Sequence, residues 1–354
     1  MTEVKNRHIF WHDHIIVAYA PIYLRAAILL PLLDKSYPAL NFHSASVNQN
    51  SIKSTLIKPS LVKPSLVKQN SWGLARRDAT VTIWVLAVVL VASITHASWN
   101  AIAKYLDDPS FAFMWINLTV AAVGACFIVA IGLPNRSALP FLLVSFLIHI
   151  AYNIFLLNSY RFGDLSQVYP LARGMAPILV AIGAFVFADE RLNPTEIAGI
   201  IVIAAALASI AEFHATRALW LSLATGFAIG GYSLVDGFGV RHANSPFTYA
   251  GLLFLLEGGV LGLGIGWLRI KQRRPLKSSR LPLAVTAGAL SYLAYAAVLW
   301  AQQRAPLGIV SALRETSVIV ATIIGGYFLK EGLGRRRTVA AIIVCVGVTI
   351  LVLG

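Results

Sequence analysis

Ten apolar runs, separated by short loops rich in helix breakers, constrain this chain more than anything else in it. They lie near 81–103, 110–132, 138–160, 168–188, 194–213, 217–237, 246–268, 281–302, 307–329 and 337–353. Runs of about 17–23 residues at 1.5 Å per residue are long enough to cross a hydrocarbon core of ~30 Å. Lipid offers no partner for a backbone N–H or C=O, so each run is expected to be helical. The loops carry the punctuation: Leu133-Pro134-Asn135-Arg136, Asn193-Pro194, Asn244-Ser245-Pro246 and Arg274-Pro275. Composition points the same way, with 58% hydrophobic and 12% charged residues and a mean hydropathy of +0.73. A soluble domain carries about 25% charged residues. The expected fold class is an all-α membrane protein of ten transmembrane helices, embedded in the lipid bilayer.

The net charge of +14 raises the question of nucleic acid. The charges sit in an N-terminal tail and in short loops between apolar runs, not on one contiguous face, so no nucleic-acid partner is expected. Cys126 and Cys345 lie inside apolar runs, away from any ligand-spaced cluster. They are read as small buried hydrophobes, with no disulfide, metal or cofactor implied.

Residues 1–78 differ from the rest. The stretch 15–33 is apolar but holds Arg25, Pro21 and Pro31, and a central Arg costs about 2.5–3.5 kcal/mol on insertion scales. It is read as a surface or re-entrant segment, not an eleventh span. Within 51–70 the chain repeats Leu56-Ile57-Lys58-Pro59-Ser60, Leu61-Val62-Lys63-Pro64-Ser65 and Leu66-Val67-Lys68. A five-residue Pro repeat builds no core, so 1–78 is expected to be mostly disordered. A misassigned start codon is an alternative origin for this tail.

The remainder repeats itself at a constant offset of 141 residues. Arg173, Ile178, Ile182, Phe187, Glu190, Leu192 and Ile201 match Arg314, Ile319, Ile323, Phe328, Glu331, Leu333 and Ile342. Shared Ile and Leu reflect composition in part, but paired Arg and Glu do not. The expected halves are 79–213 and 214–354, five helices each. Five is odd, so the second half enters the membrane in the opposite sense, the inverted-repeat plan of many secondary transporters. Orientation is ambiguous: loop 269–280 holds six Lys/Arg on the side of Arg335-Arg336-Arg337, while Lys63, Lys68, Arg76 and Arg77 lie on the other.

From about residue 81 onward the chain resembles the EamA family of the drug/metabolite transporter superfamily. An ordered set of motifs carries the resemblance: His96-Ala97-Ser98-Trp99-Asn100 through Lys104, Tyr169-Pro170-Leu171-Ala172-Arg173-Gly174-Met175-Ala176-Pro177 through Glu190-Arg191-Leu192, and Ala305-Pro306-Leu307-Gly308 through Arg314 to Glu331. It implies a permease for small solutes, acting in uptake or efflux. It also implies a central cavity shared by the halves, with both termini cytoplasmic. The first motif resembles members linked to phosphonate utilisation. Val318 stands where the first half has Pro177, and the tail is foreign to the family pattern.

Ionisable side chains inside spans default to functional hypotheses. Arg173 and Arg314 would face a common axis, and a guanidinium there suits a carboxylate or phosphate. The alternative is that each snorkels or pairs with an internal acid. Glu315, Glu257 and Asp236 are the proton-coupling candidates. Glu315 and Arg314 point about 100° apart and do not share a target. Glu257 precedes Gly258, Gly262 and Gly266, a face that permits tight helix contact. Trp99, Asn100, Tyr152, Asn153, Tyr169, Tyr232, Tyr292 and Tyr295 would line the cavity with stacking surface and polar handles; for those at span ends, an interfacial belt is the alternative. His96 and His149 are read as core residues, and Glu190 and Glu331 as organisers of loop ends or gates.

The favoured function is a secondary transporter of a small anionic or zwitterionic metabolite, driven by a proton or substrate gradient, acting as a monomer or homodimer in a bacterial inner membrane. No Gly-rich Lys-Ser/Thr sequence is present to bind ATP. A membrane-embedded enzyme would need a nucleophile–base set or a metal pair, which the scattered acids do not supply. A channel would show rings of repeated polar residues. A non-transporting scaffold is the remaining alternative.

Overall fold

Residues 82–162, 165–210, 216–327 and 335–353 are described by the computed structural model. Eleven α-helices account for most of them, with no strand among the described residues. They are α1 (Ile83–Tyr105), α2 (Pro109–Ile131), α3 (Leu139–Phe162), α4 (Leu165–Ala188), α5 (Pro194–Ala208), α6 (Thr216–His242), α7 (Pro246–Lys271), α8 (Leu281–Gln302), α9 (Leu307–Arg314), α10 (Ser317–Tyr327) and α11 (Arg335–Leu353). The N-terminal extension 1–78, with its repeat and the segment 15–33, lies outside the described residues.

The helix starts follow the breakers. Asp108, Asn193 and Ser245 each accept a backbone N–H from the helix they precede, with Pro109, Pro194 and Pro246 next in line. Proline loses nothing at a first-turn position, because that N–H has no intrahelical partner anyway. At α5 the cap is reciprocal: Asn193 accepts from the Glu196 N–H at 2.8 Å while the Glu196 carboxylate accepts from the Asn193 N–H at 2.7 Å.

One expected helix is interrupted. The apolar run at 307–329 predicts one continuous helix, but Glu315 and Thr316 separate α9 from α10. There the Glu315, Thr316, Val318 and Ile319 N–H groups bond three residues back, and the Thr316 hydroxyl donates to the Leu313 carbonyl at 2.8 Å. Three consecutive polar residues, Glu315-Thr316-Ser317, compete with the backbone ladder in an otherwise apolar run.

Among the described residues, seven segments are long and apolar enough to cross a membrane: Ile83–Tyr105, Pro109–Ile131, Arg136–Leu156, Leu171–Ala188, Pro246–Lys271, Leu281–Gln302 and Leu307–Ile324. Pro194–Ala208 and Thr338–Leu353 are apolar but shorter. The 27-residue α6 is longer than its apolar run at 217–237 and ends on Asp236, Arg241 and His242. The outward surface is apolar, with Val129, Phe187 and Leu353 each at least 75% exposed. Cys126 and Cys345 belong to that outer face. This corrects the expectation that they are buried: both lie on apolar helices, but at positions that point away from the body.

The body is built from cross-packed pairs. α2 packs on α7, α3 and α4 on α6, α1 on α8, α9 and α10, and α5 on α11. Glycine sets the closest approach. A Cβ on Gly258 would lie 2.5 Å from the Asn117 carbonyl oxygen, and one on Gly262 would lie 2.8 Å from the Leu118 side chain. The glycine face of α7 is therefore pressed against α2. A Cβ on Gly226 of α6 would lie 3.0 Å from the Ala172 carbonyl oxygen, and one on Gly174 would lie 3.0 Å from the Ala204 carbonyl oxygen of α5. These two contacts bracket Arg173 and fix α4 on both sides.

Candidate functional site

At mid-height, where α1, α4, α8 and α9 meet, lies a void of about 10 Å3, lined by Ser93, His96, Arg173, Tyr295 and Arg314 with Ala92, Ala294 and Val298. That is room for about one water. Both repeat-related arginines reach it, from α4 and from the end of α9.

The two arginines have different partners. Arg173, 8% exposed, donates from Nε to Glu315 Oε2 at 2.9 Å and from Nη2 to Glu315 Oε1 at 3.0 Å. This is a bidentate buried ion pair between α4 and the interruption after α9. Its Nη1 also meets His96 Nε2 at 3.2 Å. Arginine only donates, so this nitrogen of His96 accepts and the imidazole carries its proton on Nδ1. Arg314 points elsewhere. Its guanidinium lies over the Tyr295 ring at 5.8 Å, and among the described residues no carboxylate is within ion-pair distance of it. The Ser93 hydroxyl meets the Arg314 backbone carbonyl at 3.4 Å.

Behind Tyr295 stands Asp236, fully buried. Its Oδ1 accepts from the Tyr249 hydroxyl at 2.9 Å and its Oδ2 from the Tyr295 hydroxyl. A carboxylate held by two phenols has its lone pairs satisfied without a cation. His149 packs beside this group, stacked on Tyr232 at 3.9 Å and edge-on to Tyr295 at 6.1 Å, with Nδ1 near the Ser145 carbonyl at 3.0 Å. Tyr152 meets Tyr232 edge-on at 5.6 Å. Asn153 donates to the His149 carbonyl at 2.8 Å and to Glu257 Oε1 at 3.2 Å, so Glu257 turns toward α3 while the neighbouring Gly258 faces α2. Glu257 Oε2 and Trp99 Nε1 are buried with no hydrogen-bond partner among the described residues.

Of the residues expected at the site, Arg173, Arg314 and Tyr295 line the void. Glu315 and Asp236 each bond directly to one of them. Tyr152, Asn153, Tyr232 and Glu257 form the adjoining polar layer. Trp99 packs edge-on to His96 at 5.4 Å. Asn100 bonds back to the His96 carbonyl at 2.8 Å. Tyr292 is fully buried and donates to the Phe247 carbonyl at 2.6 Å. Only the backbone of Tyr169 is described. Ser93 and Tyr249 escaped sequence reasoning. A serine and a tyrosine in apolar runs look like packing until their partners are seen.

One end of the body is tied by Glu190. Its Oε1 meets Arg241 Nη1 at 2.5 Å, and its Oε2 accepts the Leu307 N–H at 2.8 Å, at the start of α9. Arg241 also donates to the Gln302 and Ala305 carbonyls, at 2.9 and 3.1 Å. Glu331, the repeat partner of Glu190, lies outside the described residues. At the other end the Asp108 carboxylate takes Arg269 Nη1 at 2.9 Å. Burial works to raise the Asp108 pKa, but the Phe111 N–H, Arg269 and the Ser110 hydroxyl outweigh it and hold the group below its ordinary value.

Apolar helices around a buried charged centre define an integral, multi-pass α-helical membrane protein. Residues 216–353 match the EamA-like transporter family, so that stretch is similar to a family of transporters. The family resemblance read from the motifs stands on this match, which says nothing of phosphonates. No curated protein matches the sequence. A solved structure described as "Crystal structure of protein" superposes with a TM-score of 0.61 at 16% identity, covering 76% of this chain and 96% of its own. At that identity the likeness is of fold alone.

Proposed function

We propose that this protein is a secondary transporter that moves a small anionic or zwitterionic metabolite across a bacterial inner membrane by alternating access. The observation that carries the reading is the void shared by Arg173 and Arg314, two residues related by the 141-residue repeat. Glu315 neutralises Arg173, whereas Arg314 has no carboxylate within ion-pair distance among the described residues and brings its positive charge to the void. An anion entering the void would balance it, and Arg314, over an aromatic ring with no acid beside it, is the docking group.

The transport cycle rests on the division into 79–213 and 214–354 as oppositely oriented halves of a ten-span bundle, with α9 and α10 together as one broken span. The packing supports it. Exchanging α1–α5 for α6–α11 turns the α1–α8 contact into α6–α3, α4–α6 into α1 with α9 and α10, and α2–α8 into α7–α3. The α2–α7, α5–α11 and α4–α9 contacts map onto themselves. An interrupted helix at the centre is also where such transporters coordinate their cargo.

The test is flux in proteoliposomes under an imposed pH gradient, over phosphonates, amino acids and aromatic metabolites. Gradient-dependent flux of an anionic or zwitterionic member, abolished by the R314A variant, supports the reading. Flux confined to neutral or cationic members, or full transport by R314A, overturns it.

A further inference from the structure

Arg173 offers the strongest anion-binding fork in the centre, and the chain's own Glu315 fills it. We propose that Glu315 is an internal stand-in for the substrate anion, that the incoming anion displaces it from Arg173, and that the displaced Glu315 carries a proton, so that anion and proton move together. This rests on the reading of the protein as an anion transporter and adds its coupling ion and sign.

Three observations carry it. Arg173 lines the void, and Glu315 occupies its Nε and Nη2 while His96 meets Nη1, so an anion in the void competes with Glu315 for the guanidinium. Glu315 sits on the interruption between α9 and α10, where the backbone bonds run three residues back. It can therefore swing without breaking a regular helical ladder. Third, the space beside Arg173 has room for about one water, and the guanidinium fork that faces it is satisfied by the chain's own carboxylate.

The proton follows from charge. Displaced as a carboxylate, Glu315 would be an uncompensated buried anion. The charged and titratable groups facing it are Arg173 from α4, His96 from α1, Tyr295 from α8 with Asp236 of α6 behind it, and Arg314 of its own helix. Apart from the arginines that begin α11, helices α5 and α11 present only Glu196, held in its own cap, and the exposed Cys345. Arg173 is then the only cation bonded to Glu315 among the described residues, and once it turns to the substrate a proton takes its place. The balance is simple. One proton from water bonds to a Glu315 oxygen, the Arg173 bonds pass from Glu315 to the anion, and on the far side both leave and the ion pair re-forms.

The experiment uses the full-length protein in detergent, weakly buffered near pH 7, with lactate, succinate, L-glutamate and methylphosphonate as probes and a pH-indicator dye as readout. The three carboxylates do not titrate there, so their proton uptake reports the protein, while methylphosphonate, whose second ionisation lies close to neutral pH, is read for binding only. For a carboxylate that binds, the wild type takes up about one proton per anion, and affinity falls about tenfold per pH unit once Glu315 is ionised in the free protein. The E315Q variant binds without proton uptake and without that slope. Binding by the wild type with no proton uptake overturns the coupling and leaves the transporter reading standing, as does an E315Q variant that keeps both uptake and slope. Absence of binding by every probe overturns the anionic reading and the coupling with it. The wild-type stoichiometry decides the matter even if E315Q fails to fold.

Discussion

The two arginines that the repeat makes equivalent are not equivalent in their contacts. Arg173 is pinned by Glu315 and His96, whereas Arg314 rests on Tyr295. Their alanine variants should separate accordingly. R173A strands a buried carboxylate and is expected to lose roughly 3–5 kcal/mol of stability. R314A breaks no ion pair among the described residues and should unfold within about 1 kcal/mol of the wild type, while losing anion binding at least tenfold. Thermal unfolding and probe binding on the same preparations check both; equal destabilisation would contradict the assignment. Asp108 gives a pH prediction. Its pKa in the folded protein lies below its unfolded value of about 3.9, so its contribution is present above that pH and disappears as pH falls through the folded value. Asn caps a helix about as well as Asp, so D108N should keep the cap, lose up to about 1 kcal/mol at pH 7 from the charged Arg269 contact, and lose progressively less relative to wild type in acid. At this scale the sequence was informative about which residues matter and poor on their pairings. The 100° separation of Arg314 and Glu315 was legible. That Glu315 would meet Arg173, 142 positions earlier, was not, since no local pattern encodes a contact across the bundle.

Among the elements, spans and caps were the legible part. Lipid forces helix on any run of sufficient length, and proline after Asp, Asn or Ser marks where α2, α5 and α7 begin. The interruption after α9 was hidden because Glu315-Thr316-Ser317 occupies three positions in an apolar run with no Gly or Pro to announce it. The first half, which does hold Pro177, keeps α4 continuous. The glycine face of α7 offers an internally controlled prediction. G258L must displace the Asn117 carbonyl, 2.5 Å from the new Cβ, whereas at Gly259 nothing lies within 4 Å. G258L should cost at least about 1–3 kcal/mol and lower the unfolding temperature, and G259L should leave it nearly unchanged. Similar losses from both would mean that α7 does not pack on α2 as described.

For the whole molecule, the Glu190–Arg241 tie closes one end by joining α6, the end of α8 and the start of α9 to the loop just after α4. The E190A variant should loosen that end. A cysteine placed at Ser93, on the void, would then react with a small polar thiol reagent several-fold faster than in the S93C parent. An unchanged rate would place the tie outside the access route. The native Cys126 and Cys345 lie on the outer face, so both are replaced by alanine in the assay.

The smallness of the central void has a consequence for any titration of this protein. A chamber of that size takes a metabolite only in a roomier conformer of the bundle, so binding is linked to the population of that conformer. The dissociation constant observed at equilibrium is then the intrinsic one divided by the share of molecules in that conformer. If one molecule in a hundred is roomy, a site of micromolar quality registers at about a tenth of a millimolar. Weak apparent binding would therefore measure how firmly the bundle holds itself shut as much as how well it grips its cargo.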